Sequence, residues 1–183
     1  MPALALPDPP LSDGEVTLRG FESVDVAALV EICQDPEIPR WTGVPSPYSA
    51  QDARVWLARC ADGWAAGTRA SFAVVEADAG RLLGTAGLMA IDWPRSAAEI
   101  GYMLAAPARG RGAASRAVRL LAGWALGELG LEHVELHIDK RNPASLAVAA
   151  RTGFAPLYEP LVQRPETAHF LNDVYFARMR ANG

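Results

Sequence analysis

The stretch Arg109-Gly110-Arg111-Gly112-Ala113-Ala114 stands between a predicted strand and a long predicted helix, and the fold class follows from it and its surroundings. The first backbone amides of a helix have no partners within the helix, and the helix dipole places partial positive charge at that end. Small residues let a phosphate approach those amides closely, and the two arginines add formal charge. The stretch therefore predicts a cradle for an anion, most naturally a pyrophosphate.

Two common phosphate-binding loops fit this stretch less well. A Walker loop ends in Gly-Lys-Ser/Thr, which is not present here. A Rossmann fingerprint needs G-x-G-x-x-G/A, and Gly110, Gly112 and Ser115 have that spacing but end in serine. It also needs alternating strand–helix units, whereas the strands before this stretch are separated only by short turns. A dinucleotide site is therefore the weaker interpretation.

The segments around the cradle predict a mixed sheet. Upstream, residues 71–76, 82–91 and 98–104 read as strands joined by short turns, which favours an antiparallel meander because parallel neighbours need a long crossover. Downstream, the apolar stripe of a helix from 114 to 129 and an alternating strand at 133–138 predict a right-handed parallel crossover.

The remaining elements follow from local patterns. Strands are expected at 16–19, 155–158 and 174–179, and residues 34–48, with four prolines, are expected to form a loop. Ser23 and Ser49 stand where helix caps are expected, and a short helix is expected to follow Asn142. The whole chain is predicted to be α+β.

Length and composition limit the function classes. The chain has 183 residues, which predicts one domain over 14–183 behind a flexible N-terminal lead-in at 1–13. A formal charge of −4 and a pI near 5.4 argue against a nucleic-acid partner. The sequence shows neither a basic, apolar leader nor a continuous apolar stretch of about 20 residues, so we expect no membrane partner. Cys33 and Cys60 are too few for a disulfide framework, so we expect a cytoplasmic protein.

Several blocks together resemble the GNAT N-acetyltransferases, and among them the ribosomal-protein-type, RimJ/RimL-like branch. Arg109-x-x-Gly112-x-Ala114 matches the R/Q-x-x-G-x-G/A signature, which in that family binds the pyrophosphate of acetyl-CoA. The other matching blocks, in family order, are Val16-Thr17-Leu18-Arg19, Glu99-Ile100-Gly101-Tyr102, Asn142-Pro143-Ala144-Ser145 with Gly153-Phe154, and Asn172-Asp173-Val174-Tyr175. The resemblance implies a mostly antiparallel, roughly six- to seven-stranded sheet that is split at the fourth and fifth strands, with helices on both faces. It also implies acetyl-CoA as co-substrate and direct attack by an amine.

The resemblance assigns roles to individual residues. Glu99 is expected to be the base for the acceptor amine, and Ser145 either assists the leaving sulfur or only caps a helix. The backbone N–H of Met103 or Leu104 is expected to bind the oxyanion. The expected cofactor-binding residues are Tyr102, Met103, Leu104, Arg109, Gly110, Arg111, Gly112, Ala113, Ala114 and Asn142. Trp41 and Tyr48, on the loop at 34–48, are expected to stack on the acceptor.

The acceptor and the histidines leave alternatives open. A protein or peptide N-terminal amine is favoured by resemblance, a polyamine or aminoglycoside-type amine is the alternative, and a module that binds acyl-CoA without turnover is a second class. A homodimer also stays open. His133 and His137 lie on a predicted strand, so they lack the helical zinc pattern, and we expect no metal and only paired strand side chains.

Overall fold

The computed structural model describes residues 3–162 and 172–181, and in that part of the chain a mixed sheet carries helices on both faces. The strands are β1 (Leu11–Ser12), β2 (Val16–Arg19), β3 (Ala70–Glu76), β4 (Leu82–Asp92), β5 (Ala97–Leu104), β6 (His133–Asp139), β7 (Ala155–Leu157) and β8 (Asp173–Met179). The α-helices are α1 (Asp25–Cys33), α2 (Glu37–Trp41), α3 (Ala50–Ala66), α4 (Ala113–Gly127) and α5 (Pro143–Arg151).

The spatial order of the strands is β1-β2-β3-β4-β5-β6-β8-β7. Neighbouring strands are antiparallel except β5 and β6, which are parallel and joined by α4. The predicted meander and crossover are therefore confirmed. The described residues also form β1, a strand that was not predicted, and it pairs antiparallel with β2.

The sheet splits between β5 and β6. These two strands pair only where Ala97–Glu99 faces His133–Glu135. Beyond this point β5 continues along β4 to Leu104, whereas β6 continues along β8 to Asp139. The strands therefore diverge toward their carboxyl ends, and α4 and α5, which follow them in the chain, begin on the two sides of the opening. This confirms the predicted split.

The core occupies both faces of the sheet. On one face α4 packs against the sheet in the larger cluster, where the rings of Trp124 and Phe72 lie perpendicular at 5.6 Å. Such a pair contributes about 0.5–1.5 kcal/mol beyond its buried area. On the other face α1 and α3 bury a smaller cluster that includes Leu29. Neighbouring residues of β5 point to opposite faces, so Leu104 joins the larger cluster and Met103 packs on the smaller one.

Two N-terminal regions differ from the simplest expectation. The stretch predicted as a flexible lead-in contributes β1, and the Leu4 amide donates to the Trp64 carbonyl at 3.0 Å. The domain boundary at residue 14 stays a prediction. Residues 34–48 are not wholly a loop, since they contain α2. Pro36 and Pro39 lie just before and within its first turn, where a missing N–H costs nothing.

Among residues 3–162 and 172–181, no helix combines the length and the apolar character that crossing a membrane requires.

Candidate active site

The loop before α4 leaves the amino end of that helix open. Gly112 is the N-cap residue with φ +85°, and Gly110 has φ +74°, both in the left-handed region that glycine adopts without a Cβ penalty. In the described part of the chain, no side chain caps the first amides of α4, and apart from the adjoining residues no atom lies within 4 Å of the position that a Cβ would take at either glycine. The amides at Ala113 and Ala114 therefore fit an anionic group such as a pyrophosphate.

The two arginines of the loop have different surroundings. The Arg109 guanidinium donates to the Leu104 carbonyl from Nε at 3.1 Å and from Nη2 at 2.9 Å, and it pairs with Asp35 at 2.7 Å. Arg111 is exposed, and no described carboxylate lies within ion-pair distance of it. The Arg109 side chain therefore ties the loop to β5 and to the end of α1, whereas the Arg111 side chain is available to a ligand.

Two cavities lie in different parts of the molecule. One of about 320 Å³ adjoins the loop and is lined in part by Leu83, Arg111 and Ala113. A larger one of about 590 Å³ lies between the N-terminal segment and α3, with Leu6 and Trp64 in its lining. None of the residues expected at the site lines the larger cavity, so we place no chemistry there.

The register of β5 determines which main-chain groups face the split. The Ala105 N–H donates to the Leu83 carbonyl at 2.8 Å, so residue 105 turns its polar groups toward β4. This direction alternates along an antiparallel pair. Met103 therefore bonds to β4, whereas the N–H groups of Tyr102 and Leu104 point into the split. Of the two donors expected for the oxyanion, the Leu104 N–H points into the split and the Met103 N–H points toward β4.

Tyr102 and Ser145 approach each other across the split. Burial raises the pKa of the Tyr102 phenol, and an interaction with the Ser145 side chain partly offsets that rise. The Ser145 N–H donates to Asn142 Oδ1 at 3.1 Å, so Asn142 is the cap of α5. Asn142, which was expected to hold the cofactor arm, thus uses its side-chain oxygen within the fold. The hydroxyl of Ser145 is not the cap; it acts on the pKa of the phenol, although the buried Tyr102 hydroxyl has no hydrogen-bond partner among the described residues.

Glu99 lies in a buried cluster that the sequence prediction missed. Its side chain is 2% exposed, and Glu99 Oε2 is 3.8 Å from His137 Nδ1. His137 Nε2 is 2.9 Å from Glu135 Oε2, and Glu135 Oε1 is 3.4 Å from His133 Nε2. Because Glu99 is the register partner of Glu135, and residues 133, 135 and 137 alternate onto one face, all four side chains lie together. The parallel register was the signal that could have found them.

The buried Glu135 carboxylate is held by three donors. It accepts the backbone N–H of Leu161 at 2.8 Å and that of Val162 at 3.3 Å, in addition to the bond with His137. Burial alone would raise the pKa of Glu135, but these hydrogen bonds outweigh it and the pKa is lowered. Glu135 is therefore ionised at neutral pH. Among residues 3–162 and 172–181, no His, Cys, Asp or Glu side chains are grouped as a metal ion requires.

The two aromatic residues expected at the acceptor entrance are placed differently. Tyr48 is 7% exposed within the smaller core cluster, and burial raises its pKa to about 12. Trp41 ends α2, is partly exposed, and donates from Nε1 to Glu37 at 2.9 Å, with the Arg40 guanidinium 4.6 Å from its ring centre. Tyr48 therefore anchors the segment in the core, and only Trp41 keeps an exposed edge.

The fold and the sequence both have known relatives. The chain is 27% identical over 139 residues to the "Uncharacterized N-acetyltransferase p20" of Bacillus licheniformis, which covers 76% of this chain and 78% of that protein. RimJ of Mycobacterium smegmatis, solved with CoA-disulfide, has a TM-score of 0.77 at 21% identity and covers 90% of this chain and 81% of that chain. The spermidine N-acetyltransferase of Vibrio cholerae, solved with CoA and spermine, has a TM-score of 0.73 at 18% identity, covering 92% and 97%.

A family model gives the assignment itself. Residues 15–155 match the model described as "Acetyltransferase (GNAT) domain". That range contains the split, the cradle, Glu99 and Ser145. With the split sheet and the open cradle already established by the geometry, the chain belongs to the GNAT acetyltransferase family.

Proposed function

We propose that this chain transfers the acetyl group of acetyl-CoA to a primary amine by direct attack in a ternary complex, and that the acceptor is a protein or peptide N-terminal amine. The observation that carries the proposal is the arrangement around the split. An open anion cradle lies at its mouth, Glu99 lies on one face of β5, and the pair of Tyr102 and Ser145 lies on the other.

The residues around the split would hold the coenzyme along one line. The amides of Ala113 and Ala114 and the side chain of Arg111 would bind the pyrophosphate. The glycines at 110 and 112 keep side chains out of that space. The main-chain groups of β5 that face the split, apart from the Leu104 N–H, would pair with the pantetheine arm, which is an extended amide-bearing chain. Acetyl-CoA supplies a thioester whose carbonyl carbon an amine can attack.

The acceptor amine must lose a proton before it can attack, because an ammonium group has no lone pair. Glu99 would take that proton, either directly or through one water molecule. A positioned base contributes typically about 10²–10⁴-fold to the rate. As the C–N bond forms, the Leu104 N–H would stabilise the oxyanion, since a fixed donor in a desolvated site costs no reorganisation. Ser145, beside the Tyr102 phenol, would assist the leaving sulfur.

The peptide acceptor is supported by the RimJ/RimL-like blocks in the sequence and by the RimJ-like fold. The spermidine N-acetyltransferase has a comparable fold, so a polyamine is the second candidate. Both acceptors present a primary amine to Glu99.

The deciding experiment is release of free CoA thiol from acetyl-CoA in the presence of matched amines. A peptide with a free α-amine, the same peptide with a blocked α-amine, spermidine and an aminoglycoside form the panel. We expect thiol release only with the free peptide amine. Thiol release with spermidine instead would show that the acceptor is a polyamine and not a peptide. Normal acetyl-CoA binding without thiol release for any amine would make the chain a binding module.

Glu99→Gln tests the base in the same assay. We expect turnover to fall by about 10²–10⁴-fold while the Kd for CoA stays unchanged, because Gln keeps the shape but cannot accept the proton. If the variant binds CoA more weakly but keeps the wild-type turnover at saturating coenzyme, the assignment of Glu99 as base is wrong.

A further inference from the structure

His137 stands between two buried carboxylates that arrive from different strands. Glu99 approaches its Nδ1 from β5, at 3.8 Å, and Glu135 approaches its Nε2 from β6, at 2.9 Å. From β8 the ring of Tyr175 packs edge-on at 4.9 Å. His133 lies on the far side of Glu135 and contacts neither Glu99 nor His137 among the contacts of the described residues. His137 thus has one nitrogen on each carboxylate.

The donors around Glu135 determine the tautomer of His137. An ionised carboxylate can only accept hydrogen bonds. Glu135 is held in that state by the backbone N–H groups of Leu161 and Val162. The Nε2 atom of His137 must therefore carry the hydrogen of the 2.9 Å bond. In a neutral imidazole the other nitrogen then has its lone pair, and that nitrogen, Nδ1, faces Glu99.

We propose that His137, oriented by Glu135, receives the proton that Glu99 takes from the acceptor amine. This inference rests on the proposed function, since it needs Glu99 to be the base. Glu99 alone touches the acceptor, so His137 and Glu135 act through it and are positioning residues. The arrangement of buried carboxylate, imidazole and reacting group follows the same logic as a hydrolase triad, in which the carboxylate fixes the tautomer and stabilises the imidazolium.

The proton balance closes with these groups. The ammonium N–H bond breaks and its proton forms an O–H bond on Glu99. That O–H bond then breaks as an N–H bond forms on His137 Nδ1, through one bridging water or after the side chains close from 3.8 Å to hydrogen-bond distance, which restores the Glu99 carboxylate and creates an imidazolium beside ionised Glu135. After C–N bond formation, the acceptor nitrogen gives a second proton to the leaving sulfur. The imidazolium releases its proton to solvent when the product leaves, so one proton is released per acetyl group transferred.

The burial of both carboxylates explains why a relay is needed. Glu99 is 2% exposed and Glu135 is fully buried, and they occupy register-paired positions on adjacent strands. A positive charge on His137, which lies between the two carboxylates, is stabilised by both of them. The relay thus lets Glu99 return to its carboxylate form without direct exchange with solvent.

The test compares His137→Gln with His133→Gln. Both histidines lie on β6, are about 5% exposed and contact Glu135, but only His137 faces Glu99. We expect His137→Gln to lower kcat with the active amine by about 10²-fold while the Kd for CoA is unchanged. His133→Gln should keep kcat within about twofold.

Equal losses of kcat in the two histidine variants would overturn the relay. A second readout does not depend on turnover. In the ¹⁵N spectrum of the wild-type protein, His137 should be the Nε2–H tautomer, and Glu99→Gln should shift its Nδ1 resonance. An Nδ1–H tautomer would overturn the inference even if no active amine is found, whereas absence of turnover with the expected tautomer would count only against the proposed function.

Discussion

Replacing Gly112 with aspartate should abolish tight coenzyme binding and leave the domain folded. Gly112 has φ +85°, and apart from its chain neighbours no atom of the described residues lies within 4 Å of the position of a Cβ, so the new side chain enters the space above the first amides of α4. A non-glycine residue in this conformation costs about 1 kcal/mol, and aspartate is among the residues that tolerate it best. For a domain of this size that cost lowers Tm by about 2–4 °C.

The charge accounts for most of the lost affinity. A carboxylate about 6 Å from one phosphate charge, at an effective dielectric constant of about 20, is repelled by about 3 kcal/mol. Each 1.4 kcal/mol is a factor of ten in Kd, so the Kd for CoA should rise about 100-fold. Gly112→Ala carries the backbone cost without the charge and should raise the Kd by about tenfold or less. Added salt should narrow the gap between the two variants, since it screens the charge.

Calorimetric titration of CoA into the purified variants measures these effects, and Gly123→Ala is the matched control. Gly123 lies on the same helix, is exposed, and also has no atom near its Cβ position. Alanine favours a helix interior by about 1 kcal/mol over glycine, so this variant should gain stability and keep the wild-type Kd. Wild-type affinity in Gly112→Asp would refute the cradle as the coenzyme site.

Three further predictions concern other parts of the molecule. Arg109→Ala should lower Tm by about 2–6 °C, because it breaks two hydrogen bonds and an ion pair. Arg111→Ala should leave Tm unchanged and raise the Kd for CoA about tenfold. If thermal melts and titrations give the reverse pattern, the roles assigned to the two arginines are exchanged. Burial opposes ionisation of Asp25, but its bonds with the Arg19 side chain and the Glu22 N–H lower its pKa below the usual 3.8, so the stability it contributes is present above about pH 4 and is lost as pH falls through the folded value. Asp25→Asn should therefore destabilise the protein more at pH 7 than at pH 3, and an equal loss at both pH values in denaturant melts would contradict this. Ser145→Ala should lower kcat about tenfold at an unchanged Kd for CoA, and adding Tyr102→Phe should cost less than the product of the single effects, because the two side chains act together.

Elements that depend on local pattern were predicted well. Short turns between strands gave the meander, and the strand–helix–strand spacing gave the parallel pair whose ends diverge at the split. Ser49 caps α3 in a capping box with Asp52, as expected from residues three apart. Ser23 does not cap α1, whose N-cap is Val24 without a side-chain bond. Asp25 instead accepts the nearby Glu22 N–H while it pairs with Arg19, a competition that residue type alone cannot show.

Side-chain partners distant in sequence were not predicted, because they depend on register and on how elements pack. Arg109 is committed to Asp35 only because the end of α1 lies beside the loop. Tyr48 reads as a loop residue, yet the packing of α1 against α3 encloses it. Glu99 meets His137 through the parallel pairing of the strand before α4 with the strand after it. Residues 163–171, which come between β7 and β8 in the sequence, lie outside the described part of the chain.

The spacing of Glu99 and Tyr102 has a chemical consequence. Residues three apart on a strand point to opposite faces, so the Glu99 carboxylate lies on the side of His137 while the Tyr102 phenol lies on the side of Ser145. Amide formation from an ammonium requires one proton to leave toward a base and another to reach the departing sulfur. If acid and base shared a face, the proton taken from the amine could return directly to the amine or pass prematurely to the sulfur. β5 separates the two proton paths, because the paths run on opposite faces of this strand. Along one edge β5 is hydrogen-bonded to β4, and along the other edge it is open at the split. A one-residue insertion between Glu99 and Tyr102 would place both groups on one face and should therefore abolish turnover more completely than the loss of either side chain.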